Sequence, residues 1–147
     1  MVRPAPGGGR LGKGGALMAE AAVRESVTLV GRAERARLAR TFTSEVLGFG
    51  HPCGDAAVLL VSELFSNSLR HSGSGGPGGR VTVTVTAGGG MVRVEVADES
   101  GSGVPALRRG DGDGEGGRGL RLVAGLAERW GWRRRDGLTV TWFELRH

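Results

Sequence analysis

VSELFSNSLRHS, from Val61 to Ser72, is the stretch on which the fold turns. Read as a helix, it sets Glu63, Asn67 and His71 four residues apart, a row of carboxylate, amide and imidazole along one face. Beside that row, Ala57, Val61, Leu64 and Ser68 form a mainly apolar stripe able to pack on a sheet. An amide and a carboxylate one turn apart suit a hard metal ion and a proton acceptor. A polar row by itself also describes a solvated helix face, so the neighbouring elements carry the decision.

Upstream, Asp55 is placed to cap this helix, and Gly48 to Gly54 breaks it from an earlier one. That earlier helix spans Arg32 to about Leu47. Ala33, Ala36, Leu38, Ala39, Phe42, Val46 and Leu47 give it a broad apolar side, with arginines opposite. Those arginines read as a solvated face, with a docking surface for an acidic partner as the alternative. Ser26 to Val30 alternates as a short strand. Residues 1–24, rich in Gly, Ala, Pro and Arg, predict a disordered tail with a short helical end near Ala16 to Arg24. Within it, GGGRLGKG (Gly7 to Gly14) approaches a phosphate-loop pattern but lacks the final hydroxyl and a preceding strand. His51 and Cys53 stand too isolated in the sequence to argue for a metal site.

Downstream, Gly73 to Gly79 is a loop, and Arg80 to Ala87 is a strict period-two strand with valines on one face and threonines on the other. Gly88 to Gly90 turns the chain into Met91 to Asp98, whose Val92, Val94 and Val96 share a face. Asp98, where the apolar pattern stops, could reach into the helix–sheet gap or cap a turn. Residues 99–118 form a long loop of Gly, Ser, Asp, Pro and Arg, a length usually kept for function or disorder. Gly117-Arg118-Gly119 then opens a helix with Leu120, Val123, Leu126, Ala127 and Trp130 on its inner side. Glycines at a helix start expose backbone N–H groups that attract phosphate. Trp132 to Arg135 and Leu138 to Leu145 predict a last hairpin around Asp136-Gly137.

Composition narrows the classes. A chain of 147 residues, 39% hydrophobic and 24% charged, predicts one soluble domain with a single core. The net charge of +5 comes with a strong Arg, Gly and Ala bias, which discounts it as a sign of nucleic-acid binding. The aromatic residues are three tryptophans and four phenylalanines, and Trp130, Trp132, Trp142 and Phe143 read as core rather than base-stacking platforms. The single cysteine excludes an internal disulfide and a multi-cysteine metal site, and fits a reducing cytoplasm. No apolar run has membrane-helix length, and no signal peptide is expected.

The order of elements is a helix with ExxxN, a hairpin ending in Asp98, a glycine-rich loop, and GRGL opening a helix before the last strands. It resembles the GHKL, or Bergerat, ATPase fold of gyrases, chaperones and histidine kinases. It is most similar to the small stand-alone anti-sigma-factor serine kinases, over roughly Ser26 to Leu145. VSELFSNSLRHS and GRGLRLVAGLAERWGW carry most of the likeness. The fold implied is an α+β two-layer sandwich: a mixed, mostly antiparallel sheet covered on one face by about three helices. Residues 25–147 would form it, with a lid at about 99–118.

The resemblance also implies a set of roles. Asn67 would hold Mg²⁺, and Glu63 would be the general base. Arg70 or His71 would lie near the phosphates of ATP. Asp98 would accept the adenine amino group, with Gly101 and Gly103 in the adjoining glycine box. Gly117, Arg118, Gly119 and Leu120 would border the triphosphate, and Thr139 or Thr141 would contact the nucleotide. One departure stands out: the family's DxGxG has Ser100 and Ser102 at its glycine positions, and the glycines are shifted by one. The implied activity is transfer of the γ-phosphoryl of ATP to a serine of a small anti-sigma-factor antagonist protein, with a sigma factor as a further partner. The alternative is a nucleotide-responsive protein-binding regulator without kinase activity. Either would be cytoplasmic, without nucleic acid or membrane as a direct partner, and homodimerisation stays open.

Overall fold

A computed structural model describes residues 22–71, 79–99 and 122–147. Within them, five strands make one sheet in the order β1-β2-β3-β5-β4, with every pairing antiparallel. The strands are β1 (Val23–Val30), β2 (Arg80–Gly88), β3 (Met91–Glu99), β4 (Arg129–Arg135) and β5 (Leu138–Arg146). Two long helices, α1 (Ala36–Leu47) and α2 (Gly54–His71), and a helical segment at 122–126 pack on one face. This is the α+β sandwich expected, with the sheet antiparallel throughout the described residues.

The alternation written in the strands decides which face the helices cover. Val81, Val83 and Val85 of β2 pair with Asp98, Val96 and Val94 of β3, and all five valines are buried. Phe143 and Leu145 extend that layer across β5. Against it α2 lays Ala57, Leu60, Val61, Leu64, Phe65 and Ser68, all buried. Each large side chain so buried is worth roughly 1.5–3 kcal/mol, so this layer dominates the stability of the sandwich. The helix α1 packs on α2 and on the β1 and β2 side of the sheet.

The turns follow from residue type. Gly89 and Gly90 hold φ of +62° and +79° between β2 and β3. Asp136 and Gly137 hold +49° and +79° between β4 and β5, the two left-handed positions of a tight hairpin turn. Several boundaries differ from the sequence reading. Strand β1 begins at Val23, so Val23 and Arg24 are extended rather than helical. A 3₁₀ turn, Ala33–Arg35, precedes α1. Because α2 begins at Gly54, Asp55 lies in its first turn, where a carboxylate complements the helix dipole rather than capping the end.

The largest difference is after residue 126. The helical segment stops there, Leu126 is exposed, and Trp130 belongs to β4 opposite Phe143. Trp130 still packs on the core, but from a strand. Trp142 points to the other face of the sheet, since its β5 neighbours Thr141 and Phe143 face the helices.

That outer face is polar and closes on itself. Ser26 bonds Thr84 and Thr28 bonds Thr82, each at 2.8 Å, across β1 and β2. Arg93 donates to Glu95 at 2.9 Å and also to Glu144, and its guanidinium stacks 4.2 Å from the Trp142 ring centroid. Arg129 reaches the second oxygen of Glu144 at 3.3 Å. Arg133 lies beside this group, and burial pulls its pKa below the usual arginine value.

At the β2–β3 turn, the chain ends of several elements converge. The His147 N–H donates to Gly90 O at 3.0 Å, and its ring meets that of His51 edge-on with centroids 4.9 Å apart. Burial first, and His147 second, push the His51 imidazole below its ordinary pKa, while burial raises the Cys53 thiol.

Candidate functional site

The helix α2 and strand β3 both start at the turn end of the sandwich. The Gly54 N–H, at the start of α2, donates to His51 O at 2.9 Å, and His51 touches His147 beside Gly90. From there α2 climbs 1.5 Å per residue, which carries Asn67 about 20 Å along the sheet. Strand β3 climbs about 3.4 Å per residue and carries Asp98 about 24 Å from Met91. Since α2 is buried against the sheet along its length, Asn67 and Asp98 arrive at the same far end.

Register completes that end. Asp98 pairs with Thr139 on β5, and Thr139 pairs with Arg134 on β4. The three share the helix-covered face, because they alternate in phase with Val96, Thr141 and Trp132. Asp98, Thr139 and Thr141 are all buried. Thr141 stands one step deeper, opposite Val96, so Thr139 is the threonine beside Asp98.

On α2, Asn67 is 5% exposed, and its Oδ1 is buried without a hydrogen-bond partner. Nearly all buried polar atoms in folded proteins are satisfied, so this amide oxygen keeps an acceptor site open to a water or a ligand. Glu63, one turn earlier on the same edge, is half-buried. Arg70 is exposed, on the solvent side of that edge. The backbone of His71 ends the helix. Gly101, Gly103, Gly117, Arg118, Gly119, Leu120 and the expected lid lie outside the described residues, as does nearly all of the expected N-terminal tail.

Sequence reading did not single out Arg134. Its position follows from the β4–β5 register, and β4 begins earlier than its sequence pattern suggested. It also missed that His147 joins His51 and Cys53, because nothing in linear spacing links residues so far apart.

A helix bearing a buried amide and a neighbouring half-buried carboxylate thus lies over an antiparallel sheet that carries a buried aspartate at the same end. The chain belongs to the histidine kinase-like ATPase domain family, whose model matches residues 29–145. Membership implies ATP binding. Among solved structures, the RsbU and RsbW domains of Rv1364c from Mycobacterium tuberculosis share the fold, with a TM-score of 0.61 and 21% identity over 84% of this chain. The match spans 32% of that longer chain. No curated protein sequence matches.

The residues present also fit a magnesium ion. The unpartnered Asn67 Oδ1 is a hard neutral oxygen, the donor type Mg²⁺ takes alongside phosphates and water.

Proposed function

We propose that this chain is an anti-sigma-type protein kinase, transferring the γ-phosphoryl group of Mg-ATP to a serine hydroxyl of a small antagonist protein. The observation that carries the reading is the buried, unpartnered Oδ1 of Asn67, one turn from Glu63 on the edge of α2. Family membership supports the nucleotide. The motif resemblance, and the fold likeness to a chain containing an RsbW domain, support the class of partner.

In this reading Asn67 Oδ1 holds Mg²⁺, which supplies charge neutralisation at the phosphates. Asp98, acceptor-only and buried, receives the adenine amino group. Thr139 supports it from the adjacent strand. Glu63 takes the proton of the attacking serine hydroxyl as its oxygen bonds to the γ-phosphorus and the bond to the β-phosphate oxygen breaks, leaving ADP. Arg70, exposed at the end of α2, is placed to meet phosphate or the approaching partner. A sigma factor would be a further partner of the same chain.

The experiment uses γ-labelled Mg-ATP with the full chain and purified candidate antagonists. Label is expected on an antagonist serine. Glu63→Ala should keep ATP binding and slow transfer by about 10²-fold or more, the usual worth of a general base. Transfer by Glu63→Ala at the wild-type rate would refute the base. ATP binding without transfer to any antagonist would favour a nucleotide-responsive regulator that does not phosphorylate.

A further inference from the structure

The far end of the sandwich from the nucleotide site gathers a second set of chemical groups. His51 and Cys53 come from the turn between α1 and α2, and His147 follows β5. One ligand atom from each, two imidazole nitrogens and the Cys53 sulfur, lie within 4.8 Å of one another. Cys53 is buried, His51 half-buried and His147 exposed. The Cys53 N–H donates to His51 Nδ1 at 2.9 Å, which accounts for His51 as a turn residue. It does not account for the thiol and the second imidazole converging on the same point.

We propose that His51, Cys53 and His147 form a binding site for a zinc-class divalent cation, tying the start of α2 to the end of β5. The donor set decides the class. One thiolate and two imidazoles are borderline-soft ligands that favour Zn²⁺ and its neighbours over Mg²⁺ or Ca²⁺. With Zn–N near 2.0 Å and Zn–S near 2.3 Å, tetrahedral ligand atoms sit about 3.3–3.6 Å apart. The cluster therefore contracts by about 1 Å on binding, a movement the exposed His147 ring can make. A water molecule fills the fourth position.

Binding has a defined proton balance. The Cys53 S–H bond breaks, its proton leaves to water, and the sulfur lone pair forms the bond to the metal. His51 accepts at Nδ1 in the metal-free turn, so its neutral ring carries its proton on Nε2. Ligation through Nδ1 therefore replaces the hydrogen bond from the Cys53 N–H with a metal bond, and ligation through Nε2 moves the ring proton to Nδ1. The cation would fix the turn from which α2 rises, and α2 is the helix that carries Glu63 and Asn67. Nothing in this site depends on the kinase reading.

The test titrates the full chain with Co²⁺, then separately with Zn²⁺, both without nucleotide. Wild type should bind one Co²⁺ per chain, with a thiolate-to-cobalt charge-transfer band and the intense visible bands of a tetrahedral site. Cys53→Ser should lose the charge-transfer band, and His147→Ala should bind at least tenfold more weakly. Zn²⁺ should raise the Tm of wild type increasingly with concentration, and raise that of His147→Ala less. His147 is exposed, so His147→Ala is expected to fold even if Cys53→Ser does not. A wild-type cobalt spectrum without the thiolate band, or equal affinity in wild type and His147→Ala, would overturn the site.

Discussion

Asn67 is buried, and its Oδ1 has no hydrogen-bond partner among the described residues. An unsatisfied buried acceptor costs about 1–3 kcal/mol, and nothing among the described residues compensates the Oδ1 atom. Asn67→Ala should therefore leave the Tm unchanged or raise it, while weakening Mg-ATP binding at least tenfold. Thermal melts and a nucleotide titration of the same variant read the two effects together. A falling Tm with unchanged affinity would make Asn67 structural. At this scale the sequence was informative for α2, because i, i+4 spacing alone aligns Glu63 with Asn67. It was less so for Thr139, which only the pairing with Asp98 separates from Thr141.

Gly131 shows how an element is fixed from outside itself. It lies opposite Trp142, and a Cβ there would come within 2.8 Å of the indole Cζ2. The indole in turn carries the Arg93 guanidinium, which pairs with Glu95 and Glu144. Gly131→Ala should push Trp142 aside and lower stability by about 1–3 kcal/mol, as overpacking does. Tryptophan fluorescence and a thermal melt would register it, and an unchanged Tm would contradict the packing. The same strand explains the main misreading of the sequence. Val123, Leu126, Ala127 and Trp130 fit a helical period, yet β5 offers an unpaired edge, and Trp130 and Trp132 alternate as strand residues do. The Glu128 N–H already bonds Glu144 O at 2.8 Å, so pairing with β5 overrides the helical pattern. By contrast β2 and β3 were readable throughout, because their valine alternation has a single reading.

Among the described residues the sandwich has two chemically distinct ends, joined by α2 and β3. One gathers Asn67, Glu63, Asp98 and Thr139; the other gathers His51, Cys53 and His147. The fold class could be read because the order of elements, with VSELFSNSLRHS and GRGLRLVAGLAERWGW in it, resembles one known family. The second end could not be read, because its three ligands meet only when the sheet brings β5 beside the β2–β3 turn. Among the described residues no helix is long and apolar enough to cross a membrane.

The central claim is a nucleotide site at the Asn67–Asp98 end, and calorimetric titration of ATP tests it most directly. Wild type should bind ATP with an affinity that depends on Mg²⁺, and Asp98→Asn should lose that binding while keeping its Tm. Failure of the wild type to bind ATP with Mg²⁺, or undiminished binding by Asp98→Asn, would contradict it.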